Sequence, residues 1–197
     1  MEITLVTNLL GAFGLGAASG LNAWIPLLGL GLAQRFGVVE LSSSFDWLAA
    51  TPTLVVLVAI LVLDLVGDKV AVIDSVLHVV GLVVSPASGA IVFAAQENLL
   101  SHTHPLVAGG VGMLLGGTVH ATRSVLRPAV TATTGGVGNP ILSAIEDAVS
   151  TVLTVLAVVV PVLAFLTLVG LVIWATVLVR RWRSRRGRSN DVVAPGP

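Results

Sequence analysis

Nine side chains that carry a formal charge lie between Asp64 and Asp147 of a chain otherwise built from Val, Leu, Ala and Gly: Asp64, Asp68, Lys69, Asp74, Glu97, Arg123, Arg127, Glu146 and Asp147. Each costs about 2.5–3.5 kcal/mol at the depth of a membrane on insertion scales, so charges kept there ask for a reason. Projected at about 100° per residue, they gather into three stripes. If one helix continues through Gly67, Asp64, Asp68, Asp74, Ser75 and His78 share an arc of roughly 120°, with Lys69 pointing away. His120, Arg123, Ser124, Arg127, Thr131 and Thr134 share roughly 100°, as do Ser143, Glu146, Asp147, Ser150 and Thr154. Two acidic stripes and one basic stripe, each backed by aliphatic residues, imply one polar interior.

The chemistry open to such a set is limited. Guanidinium forks one turn apart, at Arg123 and Arg127, can turn to the same side and grip a carboxylate or phosphate. Carboxylates at Asp64, Asp68, Glu146 and Asp147 can balance that charge, relay protons or hold a cation. His78 can change charge near neutral pH. The pattern Asp-x3-Asp followed by Asp-x3-His also suits Mg²⁺ and phosphoryl transfer. No Gly-x-Ser-x-Gly elbow, His-Glu-x-x-His or aspartate–glycine signature of a CDP-alcohol phosphotransferase accompanies it. His102 and His104 form an H-x-H pair whose simpler reading is a solvated loop. Internal salt bridges that fix helix register are the plain alternative to a site, because desolvation offsets much of what a buried ion pair gains.

The elements that must position these groups are legible from composition. The 197 residues are 55% hydrophobic and 10% charged, with a mean hydropathy of +1.02. That is too little charge to wet a surface, so the solvent is lipid. The expected fold is an all-α integral membrane protein, a polytopic helical bundle of 4–6 spans with glycine-rich, broken or re-entrant helices. Residues 1–182 form the transmembrane domain and 183–197 a basic, disordered cytoplasmic tail.

The first apolar run, about Leu5–Phe36, exceeds one straight crossing and is interrupted by Ser19-Gly20-Leu21-Asn22. Gly20, Asn22 and Pro26 are therefore helix-break candidates. Thr51-Pro52 opens a second span, Ser85-Pro86 closes the element after it, and residues 86–100 are short for a crossing. Leu106–Thr134 is a helix, Gly135 to Pro140 a turn that makes Asn139 and Pro140 further break candidates, and Ile141–Trp182 a long helix kinked at Pro161. Five crossings, or four with residues 86–100 re-entrant, both satisfy a cytoplasmic C-terminus.

That orientation follows from charge. Residues 1–179 carry nine acids and four bases, whereas residues 180–197 carry six arginines and Asp191. Arginines directly behind an apolar run mark the cytoplasmic side of a plasma (inner) membrane. The partners expected are the bilayer and, for the tail, anionic lipid; a nucleic-acid role is not needed to explain it. The absence of cysteine rules out disulfides, thiolate chemistry and a lipoprotein anchor. The start of the chain lacks the basic region of a cleavable signal and reads as the first span.

Ser19-Gly20-Leu21-Asn22-Ala23-Trp24-Ile25-Pro26-Leu27-Leu28 resembles the opening of a bacterial membrane family catalogued as domain of unknown function 4126. Asp68-Lys69-Val-Ala-Val-Ile-Asp74-Ser75 is similar to its aspartate–lysine–x–proline–x–x–aspartate–serine stretch, without the usual proline. Pro86-Ala-Ser-Gly89-Ala90 and Asn139-Pro140 followed by Glu146-Asp147 match as well, and the resemblance covers roughly residues 10–170. It implies a membrane protein and singles out Asp68, Lys69, Asp74, Glu146 and Asp147, without implying an activity.

The leading expectation is a small permease-like transporter with a charged intramembrane site for an anionic solute or lipid headgroup. Candidate ligands are Asp64, Asp68, Lys69, Asp74, His78, His120, Arg123, Arg127, Glu146 and Asp147. A metal-dependent enzyme on phosphate-bearing lipids and an accessory subunit of a membrane complex are the rivals. Catalysis is the less favoured reading, no cofactor is expected, and whether a metal binds is left open.

Overall fold

The computed structural model describes residues 2–68, 71–96 and 104–191. Lys69, Glu97 and His102 lie outside these residues, as does the side chain of Asp74. Seven α-helices are described: α1 Glu2–Leu21, α2 Trp24–Arg35, α3 Thr51–Gly67, α4 Ala71–Ala94, α5 Pro105–Thr134, α6 Asn139–Val159 and α7 Pro161–Asp191. A short 3₁₀ segment, Ser43–Ala49, precedes α3.

Three helical stretches are long and apolar enough to cross a membrane: Thr4–Leu21, Val76–Ala94 and Asn139–Val159. The 3₁₀ segment with α3, bent by 59°, adds a fourth if that pair counts as one span, and Pro161–Val177 is a shorter apolar helix. Outward faces are apolar: Val55, Val62 and Leu63 on α3, Leu82 and Val83 on α4, and Leu166, Ile173 and Trp174 on α7 are all exposed. A water-soluble protein does not present so much contiguous apolar surface. With lipid as the solvent these residues are in their preferred medium, and the chain is a membrane protein of several helices.

α1 is the central helix, packed against α4, α5, α6 and α7. Glycine makes this possible where backbones meet. A Cβ on Gly89 of α4 would stand 2.2 Å from the Gly112 carbonyl oxygen of α5, and one on Gly112 would stand 2.1 Å from the Gly89 oxygen. Without attraction between apolar surfaces in lipid, such contact supplies the van der Waals gain that joins membrane helices. One end of the bundle is tied by polar groups instead. Arg35 donates to the Ala49 carbonyl (3.2 Å) and the Thr51 hydroxyl (2.8 Å), and Ser42 N–H donates to Ala95 O (2.9 Å).

Three boundaries differ from those expected. Pro86 does not close an element; it sits inside α4, which runs on to Ala94. In a membrane a proline is tolerated mid-helix where neighbours hold the chain, and the α5 glycines do so here. Residues 86–94 are thus the end of a span, and the remainder to residue 100 lies largely outside the described residues. The acidic stripe drawn through Gly67 as one helix belongs to two. α3 stops at Gly67, where a Cβ would stand 2.7 Å from Leu77 and 2.8 Å from Ile73, and α4 begins at Ala71. Asp64 and Asp68 therefore travel with α3, His78 with α4. Finally, the long last helix is two, because Val160 (φ −139°, ψ 74°) leaves the helical region before Pro161. The ring of a proline disfavours the α conformation in the residue preceding it.

Candidate functional site

The first apolar run is interrupted where the sequence places polar groups. α1 ends at Leu21 and α2 begins at Trp24, leaving Asn22 and Ala23 between them. The start of α2 has backbone N–H groups without helical partners. Asn22 Oδ1 accepts from Trp24 N (3.0 Å) and Ile25 N (3.3 Å), and Pro26 in the same turn has no N–H to satisfy. The freed carbonyls are met by other helices. Arg123 Nη1 of α5 donates to Leu21 O at 2.7 Å, and Ser88 Oγ of α4 donates to Ala23 O at 2.7 Å. Ser150 Oγ of α6 lies 3.5 Å from Asn22 O and also donates at 3.0 Å to Ala18 O, which keeps its helical bond from Asn22 N–H. A backbone break inside a membrane persists only where its polar groups are paired, and here three helices supply the partners.

The other end of Asn22 reaches the acids. Its Nδ2 donates to Asp64 Oδ2 (2.8 Å) and Asp147 Oδ1 (2.9 Å), linking α3 to α6 through the break. Asp68, which caps α3 and is buried, accepts from Ser143 Oγ of α6. Asp64, Asp68 and Asp147 each place a carboxylate oxygen within 4.8 Å of the others. Like charges this close call for donors or a counter-charge, and Asn22 and Ser143 furnish two of the donors.

The basic stripe faces a different acid. Arg123 Nε lies 2.6 Å from Glu146 Oε2, and Arg127 Nη2 lies 3.4 Å from the same oxygen. The i, i+4 spacing of the arginines turns both forks onto one carboxylate, joining α5 to α6 as their antiparallel course suggests. Arg127 and Glu146 are buried; the Arg123 side chain is 13% exposed. A guanidinium has five N–H donors, so Arg123 retains donors beyond its bonds to Glu146 and Leu21.

Between the acidic and basic walls lies a cavity of about 330 Å³. Asn22, Asp64, Asp68, Arg123 and Arg127 form its polar wall, and Ile60, Leu63, Leu77, Val80 and Val84 of α3 and α4 its apolar one. His78 and His120 also line it, their rings stacked with centroids 5.0 Å apart. His120 is 2% exposed and lies against Gly81, where a Cβ would meet its Cε1 at 2.4 Å. Its Nδ1 is 3.3 Å from Ser85 Oγ, and its Nε2 has no partner among the described residues. A second hollow of about 390 Å³ shares His78 and Arg127 with the first and runs to Thr131 and Asn139.

Of the expected residues, the structure gathers Asp64, Asp68, Asp147, Arg123, Arg127, Glu146, His78 and His120 around this one region. It does not describe Lys69 or the Asp74 side chain. Asn139 accepts from Thr131 (3.1 Å) at the start of α6, where Pro140 occupies the first turn, so this pair forms a helix start behind the Gly135 turn. Gly20 is buried inside α1 against Val119 and Gly116 and serves close packing. His104 caps α5 through Leu106 N (3.3 Å). Ser85 and Ser88, flanking Pro86, were not singled out by the sequence; two hydroxyls three residues apart in an aliphatic helix are the signal that marks them. Asn22 was read only as a break, not as the amide that joins two acids.

Searches of curated proteins and of solved structures find no match. A family model described as domain of unknown function (DUF4126) matches residues 9–181, which takes in the break, the acids, the arginines and the cavity. By that match the chain belongs to the DUF4126 family.

Proposed function

We propose that this protein is a small permease-like membrane protein whose cavity receives a solute or lipid headgroup bearing an anionic group. The observation that carries the reading is the interrupted backbone at Asn22, between α1 and α2, beside a cavity walled by Asp64, Asp68, Arg123 and Arg127. Helix ends that meet at an interrupted backbone beside ionisable groups are how many transporters build a binding site. Charges that merely held helices together would pack without leaving a hollow between them.

In this reading Glu146 holds Arg123 and Arg127 in register, an incoming anion meets the donors of Arg123 that Glu146 leaves, and the carboxylates across the cavity balance charge. The adjoining hollow along Thr131 and Asn139 is the route toward the end of the bundle. The protein resides in the plasma membrane with its arginine-rich tail in the cytoplasm, on the positive-inside argument.

Uptake into proteoliposomes, screened over small carboxylates, phosphates and zwitterions, tests this. Wild type is expected to move at least one of them, and Arg123→Gln/Arg127→Gln to abolish that flux. Identical flux from both proteins across the panel would remove the proposal. A metal-dependent enzyme is the second reading, favoured by the three carboxylates within 4.8 Å. Mg²⁺-dependent turnover of a phospholipid, lost in Asp64→Asn, would put it ahead.

A further inference from the structure

The cavity is not symmetric in charge, and the asymmetry names its occupant more closely. Among the described residues that line it, Asp64 and Asp68 stand on the α3 side and Arg123 and Arg127 on the α5 side. Glu146 faces both guanidinium groups, and Asp64 and Asp68 face the cavity from its other wall. An occupant with only an anionic end would bring no N–H donor to the two aspartates. An occupant with only a cationic end would leave the Arg123 donors and the bare Nε2 of His120 without an acceptor or donor to meet.

We infer that the cavity binds a zwitterion, with a primary ammonium against Asp64 and Asp68 and a phosphate or carboxylate against Arg123. This rests on the reading of the cavity as a binding site and specifies its ligand. Carboxylate oxygens accept N–H bonds, and a primary ammonium has three to give. A quaternary ammonium has none and is recognised by aromatic cages, whereas Trp24 is the one aromatic side chain besides the two histidines in this wall. The anionic end suits the planar fork of an arginine. His120 Nε2, buried and unpartnered in the cavity wall, is the polar atom an occupant would satisfy.

The cavity wall also reaches the outer face. Leu63 and Val80 line the cavity and are 69% and 44% exposed, so a mouth lies between α3 and α4 on the apolar surface of the protein. Through it an aminophospholipid could place its headgroup inside while its chains stay in lipid. A free amino acid or phosphoamine carries the same two groups, and the test must separate these sources.

The full chain is placed in nanodiscs of phosphatidylethanolamine with phosphatidylglycerol, or of phosphatidylcholine with phosphatidylglycerol, and retained lipid is read by native mass spectrometry. In the choline discs, binding of free ethanolamine phosphate is measured alongside. Retention of the ethanolamine lipid over the choline lipid by at least about tenfold supports the inference with a lipid source. Saturable binding of ethanolamine phosphate without lipid preference supports it with a soluble one. Either signal should weaken at least about tenfold in Asp64→Asn, with thermal unfolding checking that this variant is folded; the wild-type comparison stands without it. Equal retention of both zwitterionic lipids with no binding of ethanolamine phosphate overturns the inference. Preference for phosphatidylglycerol over both overturns it too, while leaving an anion-binding permease intact. Selective ethanolamine binding without flux would instead remove the permease and keep the ligand.

Discussion

The amide of Asn22 does two jobs that no other side chain of its size combines: its oxygen caps α2 and its nitrogen bridges Asp64 and Asp147. Aspartate at this position keeps the capping oxygen but replaces two donors with a further negative charge. Asn22→Ala is therefore expected to cost at least about 2 kcal/mol, and Asn22→Asp to cost more, as a larger fall in the thermal midpoint in detergent. Equal midpoints for Asn22→Asp and wild type would show that the bridge carries no weight. Glu146 permits a sharper test at the same scale. Its removal leaves two arginines facing each other in a buried site, a change of about 3–5 kcal/mol. Glu146→Gln combined with Arg127→Met removes charge of both signs and is expected to cost less than the sum of the single changes. Strict additivity in that cycle would mean that the three groups act independently.

At the scale of elements, packing and polarity divide the work. α4 and α5 approach through Gly89 and Gly112, with no volume for a methyl group, whereas Gly110 has nothing within 4 Å of where its Cβ would stand. Gly89→Ala and Gly112→Ala are expected to lose most of the folded protein, and Gly110→Ala to stay within about 0.5 kcal/mol of wild type, or above it. Folded yield by size exclusion and thermal midpoint would both report this. The same comparison shows why parts of the fold were legible in the sequence. The break after Ser19-Gly20-Leu21-Asn22, the Gly135 turn and the two polar stripes on α5 and α6 are local patterns, and each is readable. The continuation of α4 through Pro86 was not, because what holds a proline inside a helix is the neighbouring helix. The separation of Asp64 and Asp68 from His78 turns likewise on the packing of Gly67 against Leu77 and Ile73. The contacts of Ser88 and Ser150 with the broken backbone are long-range, and no spacing along the chain announces them.

Seen whole, the molecule is an apolar shell around a charged seam that runs from the break at Asn22 to the start of α6 at Asn139. Lipid-facing valines and leucines lie one residue away from cavity-lining ones, as Val83 and Val84 do on α4. The absence of cysteine makes this arrangement directly measurable, since any introduced thiol is the only one present. The orientation proposed for the bundle is open to the same approach. A thiol placed in the tail, Ser189→Cys, is expected to react with an impermeant reagent only after cells are opened; reaction in intact cells would put the tail outside. The central claim is that the seam is a hydrated binding site within a membrane protein, and one pair of variants addresses it most directly. Val83→Cys and Val84→Cys, in nanodiscs, are exposed to a charged, membrane-impermeant methanethiosulfonate reagent and the modified fraction is read by mass. The account predicts that Val84→Cys reacts and that Val83→Cys, though 72% exposed on the outer face, does not. Reaction at Val83→Cys with none at Val84→Cys would contradict it, placing water outside and a sealed, purely structural set of ion pairs within.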